Sequence, residues 1–123
     1  MGIPPGDIKN KDLKTLSKVI TSVPANLGLG AVAAGMKRWV TFVKVTNEHA
    51  AANAIWLCSG TTATNAASGV AKDKQYLGNQ YDAFAYPDSP RPDKPLFSIA
   101  ASKFLTAFSS AGNMHLFLQY FDE

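Results

Sequence analysis

The chain is poor in cysteine, arginine, histidine and charge. A single cysteine, Cys58, among 123 residues excludes an internal disulfide. It sits in the apolar run Ala54-Ile55-Trp56-Leu57-Cys58, where a small buried hydrophobe is the simpler reading than a nucleophile or ligand. Arginine occurs twice, at Arg38 and Arg91. No arginine-rich patch and no recognition-helix pattern result, so specific nucleic-acid binding is not expected. Charged residues make up 17% of the chain, against about 25% in an average domain. A surface so thinly charged implies that part of it faces something other than water. Long apolar runs are missing too. The opening Met1-Gly2-Ile3-Pro4-Pro5-Gly6 reads as neither signal peptide nor membrane anchor, and it lacks the hydroxyl residue of a myristoylation site. Synthesis in a cytosol, with no membrane partner, is the expectation.

Catalytic constellations are equally scarce. His49 follows Glu48 in a turn, and His115 shares a strand face with Phe117 and Gln119. Neither neighbourhood supplies the ligand set or acid–base partners that metal or hydrolytic chemistry needs. Asp82, Asp88 and Asp93 fall in one region, without the Asp-x-Asp-x-Asp-Gly spacing of a calcium loop. No serine lies in a Gly-x-Ser-x-Gly elbow. Gly28-x-Gly30 lacks the third glycine and following helix of a dinucleotide loop. The chain therefore reads as a non-enzyme with no cofactor and no metal.

What is present is strand pattern. Arg38-Trp39-Val40-Thr41-Phe42-Val43-Lys44-Val45-Thr46-Asn47 and Asn113-Met114-His115-Leu116-Phe117-Leu118-Gln119-Tyr120-Phe121 alternate with a period of two, which puts successive side chains on opposite sheet faces. In the second segment Met114, Leu116, Leu118 and Tyr120 make one face. His115, Phe117, Gln119 and Phe121 make the other. A sheet with one wet face should show water a polar side, yet this one carries two phenylalanines. Something else must cover them, either another part of the chain or another subunit.

Other strands are expected over 15–23, 37–47, 53–59, within 76–86, and over 96–99, 103–109 and 114–121. Residues 24–36 and 60–75 read as loops. Pro87, Pro90, Pro92 and Pro95 make 87–95 a stiff connector. Ser110-Ala111-Gly112-Asn113 reads as a hairpin turn. Seven to eight short strands without a helix predict an all-β, antiparallel two-sheet β-sandwich, jelly-roll or immunoglobulin-like. The length suits one domain, divided into an extended N-terminal arm (1–14) and a sandwich (15–123).

Two passages carry a family likeness. Val32 to Asn47, with Ala34-Gly35, Arg38, Val40-Thr41, Val43 and Val45-Thr46-Asn47, is one. The other runs from Pro95-Leu96 through Ile99, Leu105, Ala107 and Ser109-Ser110 to Gly112 and onward. Together they resemble the small β-sandwich virion proteins of tailed bacteriophages, of the capsid decoration (cement) or head-fibre type. Ser102 stands where that pattern usually has glycine. The resemblance implies a structural virion protein that binds a capsid at symmetric sites, often as a homotrimer, after assembly in the host cytoplasm.

Three residue groups are candidates for contact. An arm of Ile3, Pro4, Pro5, Ile8, Lys9, Lys11 and Lys14 would grip an adjacent shell protein, such as the major capsid protein. Phe104, Phe108, His115, Phe117 and Phe121 would form a subunit interface between copies. Tyr76, Tyr81 and Tyr86 would offer aromatic bodies with polar tips to a glycan or receptor, the competing function.

Overall fold

The computed structural model describes residues 13–87 and 94–123. Nine strands and one 3-10 turn account for its regular structure: β1 (Lys14–Ile20), β2 (Ala25–Ala31), β3 (Arg38–Asn47), β4 (Asn53–Gly60), the turn Ser68–Val70, β5 (Ala71–Leu77), β6 (Ala83–Tyr86), β7 (Phe97–Ile99), β8 (Phe104–Ser109) and β9 (Met114–Asp122). Among the described residues no helix is long and apolar enough to cross a membrane.

The strands form two antiparallel sheets. Sheet one has the order β1-β9-β3-β6, with β7 also on β3; sheet two has the order β2-β8-β4-β5. One edge of β3 is taken by β9. The other is shared end to end, by β7 at Arg38–Val40 and by β6 at Val43–Thr46. Within either sheet only β4 and β5 are both paired and consecutive in sequence. Nearly every other connection carries the chain from one sheet to the other. This interleaving is the jelly-roll order, so of the two expected sandwich types the jelly roll is the one present.

The core lies where the period-two pattern places it. Met114, Leu116 and Leu118 of β9 are fully buried, and Tyr120 is 6% exposed. They meet Val40, Val43 and Val45 of β3, Ile55 and Leu57 of β4, and Leu105 and Ala107 of β8 in one cluster. Burying a side chain of this size stabilises by about 1.5–3 kcal/mol. β-branched residues dominate β3, and they suit a pleated, packed face.

Three expectations about local structure are corrected. Residues 25–31 form a strand, not a loop. Gly28 (φ +80°) and Gly30 (φ +73°) take left-handed backbone there, and the pairing with β8 shifts between Asn26 and Ala31. Such a bulged strand breaks the alternation that sequence reading depends on. Residues 71–77 are also a strand, an edge strand with polar Lys72, Asp73, Lys74 and Gln75, of the kind that blunts an open edge with charge. Ser110–Asn113 is not a hairpin turn within a sheet: β8 and β9 lie in different sheets. In that crossing Gly112 lies against the His49 side chain, and an added Cβ would fall 2.6 Å from its Nδ1 and push the ring aside.

Candidate functional site

The outer face of sheet one is the most distinctive surface. The register places Ser17 of β1 opposite Phe117 of β9, and Phe117 opposite Lys44 of β3; Lys44 in turn lies opposite Ala85 of β6. The adjoining rows are Val19, His115, Thr46 and Ala83, and Thr15, Gln119 and Phe42. Phe42, Lys44, Thr46, His115 and Phe117 line a shallow groove of about 380 Å³. Phe42 and Phe117 meet edge to face, with ring centroids 6.1 Å apart, a favoured aromatic geometry. Both rings are half-buried, and Val19 at the flank is 45% exposed. The apolar second face anticipated from β9 is thus present, and among the described residues His115 and Phe117 stand half-buried on it.

Polar groups on this face are few. Ser17 Oγ and His115 Nε2 are 2.8 Å apart. A serine hydroxyl beside an imidazole has the separation of a nucleophile and its base. Among the described residues, however, no carboxylate engages the other ring nitrogen. The backbone N–H groups of β9, flanked on both sides, are committed to ladders and offer no oxyanion hole. The pair fixes the imidazole on the sheet surface. His49, the other histidine, packs near Gly112 and its backbone N–H donates to Asn47 Oδ1.

Phe121 does not belong to this open face. β3 carries a bulge between Val40 and Phe42, and beyond it Phe121 lies opposite Trp39, with β7 on the far side of Trp39. Phe121 is only 4% exposed, so it is not part of the open groove. Phe104 and Phe108 do not join it either. They lie on the outer face of sheet two, since Leu105 and Ala107 between them point into the core. The five phenylalanine and histidine residues expected to share one interface are therefore divided between opposite sides of the sandwich, with Phe121 enclosed.

Sheet two has its own aromatic feature. Trp56 of β4 stands between Phe108 of β8 and Lys74 of β5 in register. The Trp56 and Phe108 rings stack at 4.6 Å and 2°, and Lys74 Nζ lies 4.8 Å from the Trp56 ring, a cation–π contact. The 61–70 segment folds over Cys58 and Thr106 of this face. Thr106 donates to the Asn65 carbonyl at 2.8 Å, and Cys58 Sγ lies 3.5 Å from the Ala67 carbonyl. Cys58 is fully buried, and burial pushes its thiol above the ordinary value. It is a packed side chain, in keeping with its apolar sequence context.

The tyrosines do not form one platform. Tyr76 is 66% exposed on β5 and Tyr81 is 72% exposed in the turn after it. Tyr86 turns inward against the core and donates its hydroxyl to Asp73. Of the arm candidates, Ile3, Pro4, Pro5, Ile8, Lys9 and Lys11 lie outside the described residues. Lys14 is the first residue of β1 and so belongs to the sandwich.

Sequence reasoning missed Phe42 and Lys44 as site residues. Their place in β3 was legible, but their partnership with Phe117 depends on β3 pairing with β9, which alternation alone does not specify. Among the described residues no group of three His, Cys, Asp or Glu is placed to hold a metal ion. No protein-family model matches the chain, no curated protein matches it, and no solved structure matches it.

Proposed function

We propose that this chain is a non-enzymatic structural protein that assembles with its own copies on a larger protein shell, as a capsid decoration protein of a tailed phage does. The observation that carries the reading is the presence of half-exposed aromatic side chains on both outer faces of the sandwich: Phe42 and Phe117 on one, Trp56, Phe104 and Phe108 on the other. A subunit that must touch both its neighbours and a shell needs two such surfaces. Jelly rolls recur in viral capsid and lectin domains, an analogy at the level of fold. The likeness of residues 32–47 and of the chain from Pro95 onward to phage decoration proteins supports the same reading. Association would draw on apolar burial of roughly 800 Å² per partner, less the entropy lost on docking.

Light scattering over a dilution series tests it. A stable trimer or larger assembly is the expected result, with Phe108→Lys yielding a folded monomer. A monomer at every concentration would remove self-association. It would favour the second reading, a glycan- or receptor-binding module, which the exposure of Tyr76 and Tyr81 supports. Loss of glycan-array binding on Tyr76→Ala would then decide for that module.

A further inference from the structure

The charges on the outer face of sheet one have a single sign. The strand positions that make this face are Thr15, Ser17 and Val19 of β1, His115, Phe117 and Gln119 of β9, Phe42, Lys44 and Thr46 of β3, and Ala83 and Ala85 of β6. No carboxylate is among them. The carboxylates next in sequence, Glu48 and Asp82, lie beyond the strand ends, and Asp82 Oδ2 already accepts from the Asn79 backbone N–H at 3.1 Å. Lys44 lines the groove beside Phe42 and Phe117, is exposed, and pairs with no carboxylate among the described residues. A lysine placed among aromatic rings keeps its stem on apolar surface and its ammonium available.

We infer that the Phe42–Phe117 groove is a docking site for an acidic segment of a partner protein, one that brings an apolar side chain to the rings and a carboxylate to Lys44. This rests on the reading of the chain as an assembly protein and names the chemistry of one of its two faces. Charge complementarity selects the occupant. A second copy laid face to face would bring Lys44 towards a surface whose only charge is again cationic, and like charges across an interface cost several kcal/mol. A nucleic acid would need a track of lysines and arginines for successive phosphates, and among the described strand positions named for this face Lys44 is the one cation. A carboxylate beside an apolar group matches both halves of the groove. His115, held by Ser17 at 2.8 Å, supplies a second polar atom at the groove wall.

The experiment is fluorescence polarisation with two labelled, acetylated and amidated peptides, Glu-Phe-Glu-Leu-Asp and its neutral counterpart Gln-Phe-Gln-Leu-Asn. The acidic peptide should bind at least tenfold more tightly at low salt, and the preference should shrink in high salt as screening grows. Lys44→Gln should erase the preference without changing the melting temperature. Lys74→Gln, on the opposite face, should leave it intact. Equal binding of the two peptides, no binding of either at millimolar concentration, or a preference that survives Lys44→Gln overturns the proposal. So does a Lys44→Gln protein that self-associates more strongly than the wild type, which would give the face to a second copy. Light scattering without peptide keeps the two readings apart. A monomer that prefers the acidic peptide retains this site and loses self-association, whereas an oligomer that ignores both peptides loses this site alone.

Discussion

Tyr86 on β6 donates its hydroxyl to the carboxylate of Asp73 on β5. β6 is an edge strand of sheet one and β5 an edge strand of sheet two, so this bond ties the two sheets together along their open side. Leu77, on the same edge strand as Asp73, is buried in the core. The hydrogen bond thus closes a seam that apolar packing alone leaves to a four-residue strand. Tyr86→Phe keeps the ring and removes the donor. Asp73 is half-buried, so losing this partner costs toward the low end of the about 1–3 kcal/mol of a buried acceptor. Urea denaturation of the variant should show a loss in that range, with the denaturant slope unchanged; an unaltered midpoint would mean that the seam is held by packing alone.

Asp73 also sets a pH dependence. Burial raises its carboxyl above the ordinary carboxylate value, opposed by hydrogen bonds from the Lys74 backbone and the Gln75 side chain. The folded chain therefore holds this proton more tightly than the unfolded chain. The associated stabilisation is present at the acid side and is lost as pH rises through the raised native pKa. Asp73→Asn keeps an acceptor for Tyr86 and removes the titration. The melting temperature of the variant relative to wild type should climb as pH rises from the usual aspartate range, about pH 4, into the window above it. A difference that stays flat across that window would exclude a raised Asp73.

At the other end of β3, Arg38 makes a two-pronged pair with Asp122. Nε and one terminal nitrogen each lie 2.9 Å from a carboxylate oxygen, and the second terminal nitrogen donates to the Gly30 carbonyl at 3.2 Å. The Arg38 side chain is 5% exposed and lies 5.4 Å from the Tyr120 ring. The pair locks β3 to β9 and reaches β2 of the facing sheet. Asp122→Ala leaves a buried guanidinium without its counter-charge, which costs about 3 kcal/mol. Asp122→Asn, which keeps an oxygen acceptor, should cost less. Equal losses in chemical denaturation would show that charge contributes nothing there.

Gly60 ends β4 where the 61–70 segment folds back. A Cβ at this position would collide with the Asn65 carbonyl and come within 2.9 Å of the Thr62 carbonyl. Backbone cannot yield as a flexible side chain does. Gly60→Ala should therefore displace the segment that covers Thr106 and Cys58. Faster labelling of Cys58 by a thiol reagent under native conditions would report it. Labelling that stays at the wild-type rate would mean that the segment absorbs the extra carbon.

How much of this was legible from the residues divides along one physical line. Alternation in β9 separated the buried face correctly, because burial of Met114, Leu116 and Leu118 depends only on which side each side chain points. The half-exposed aspect of His115 and Phe117 followed from the same argument. The position of Phe121 did not, because a bulge near Thr41 changes its surroundings without leaving a mark in the alternation. β2 was hidden by glycines at positive φ, and β5 by its polar residues. Phe104 and Phe108 were placed beside Phe117 on the assumption that consecutive strands pair, and a jelly roll separates consecutive strands. Tyr86 differs from Tyr76 and Tyr81 in packing against the core and in its half-buried partner Asp73, thirteen residues earlier.

The interleaved order of the strands has a consequence for how the chain acquires its shape. β9 pairs with β1 and β3 in sheet one, and its register joins Lys14 to Tyr120 and Arg38 to Asp122. Loops of that length must close before either ladder forms, which places such topologies among the slow folders, in milliseconds to seconds. During synthesis β1 and β3 emerge without the strand that lies between them. Their apolar faces stay unpaired until Met114–Asp122 leaves the ribosome. Sheet one is thus completed late and all at once, and aggregation competes with folding in that interval.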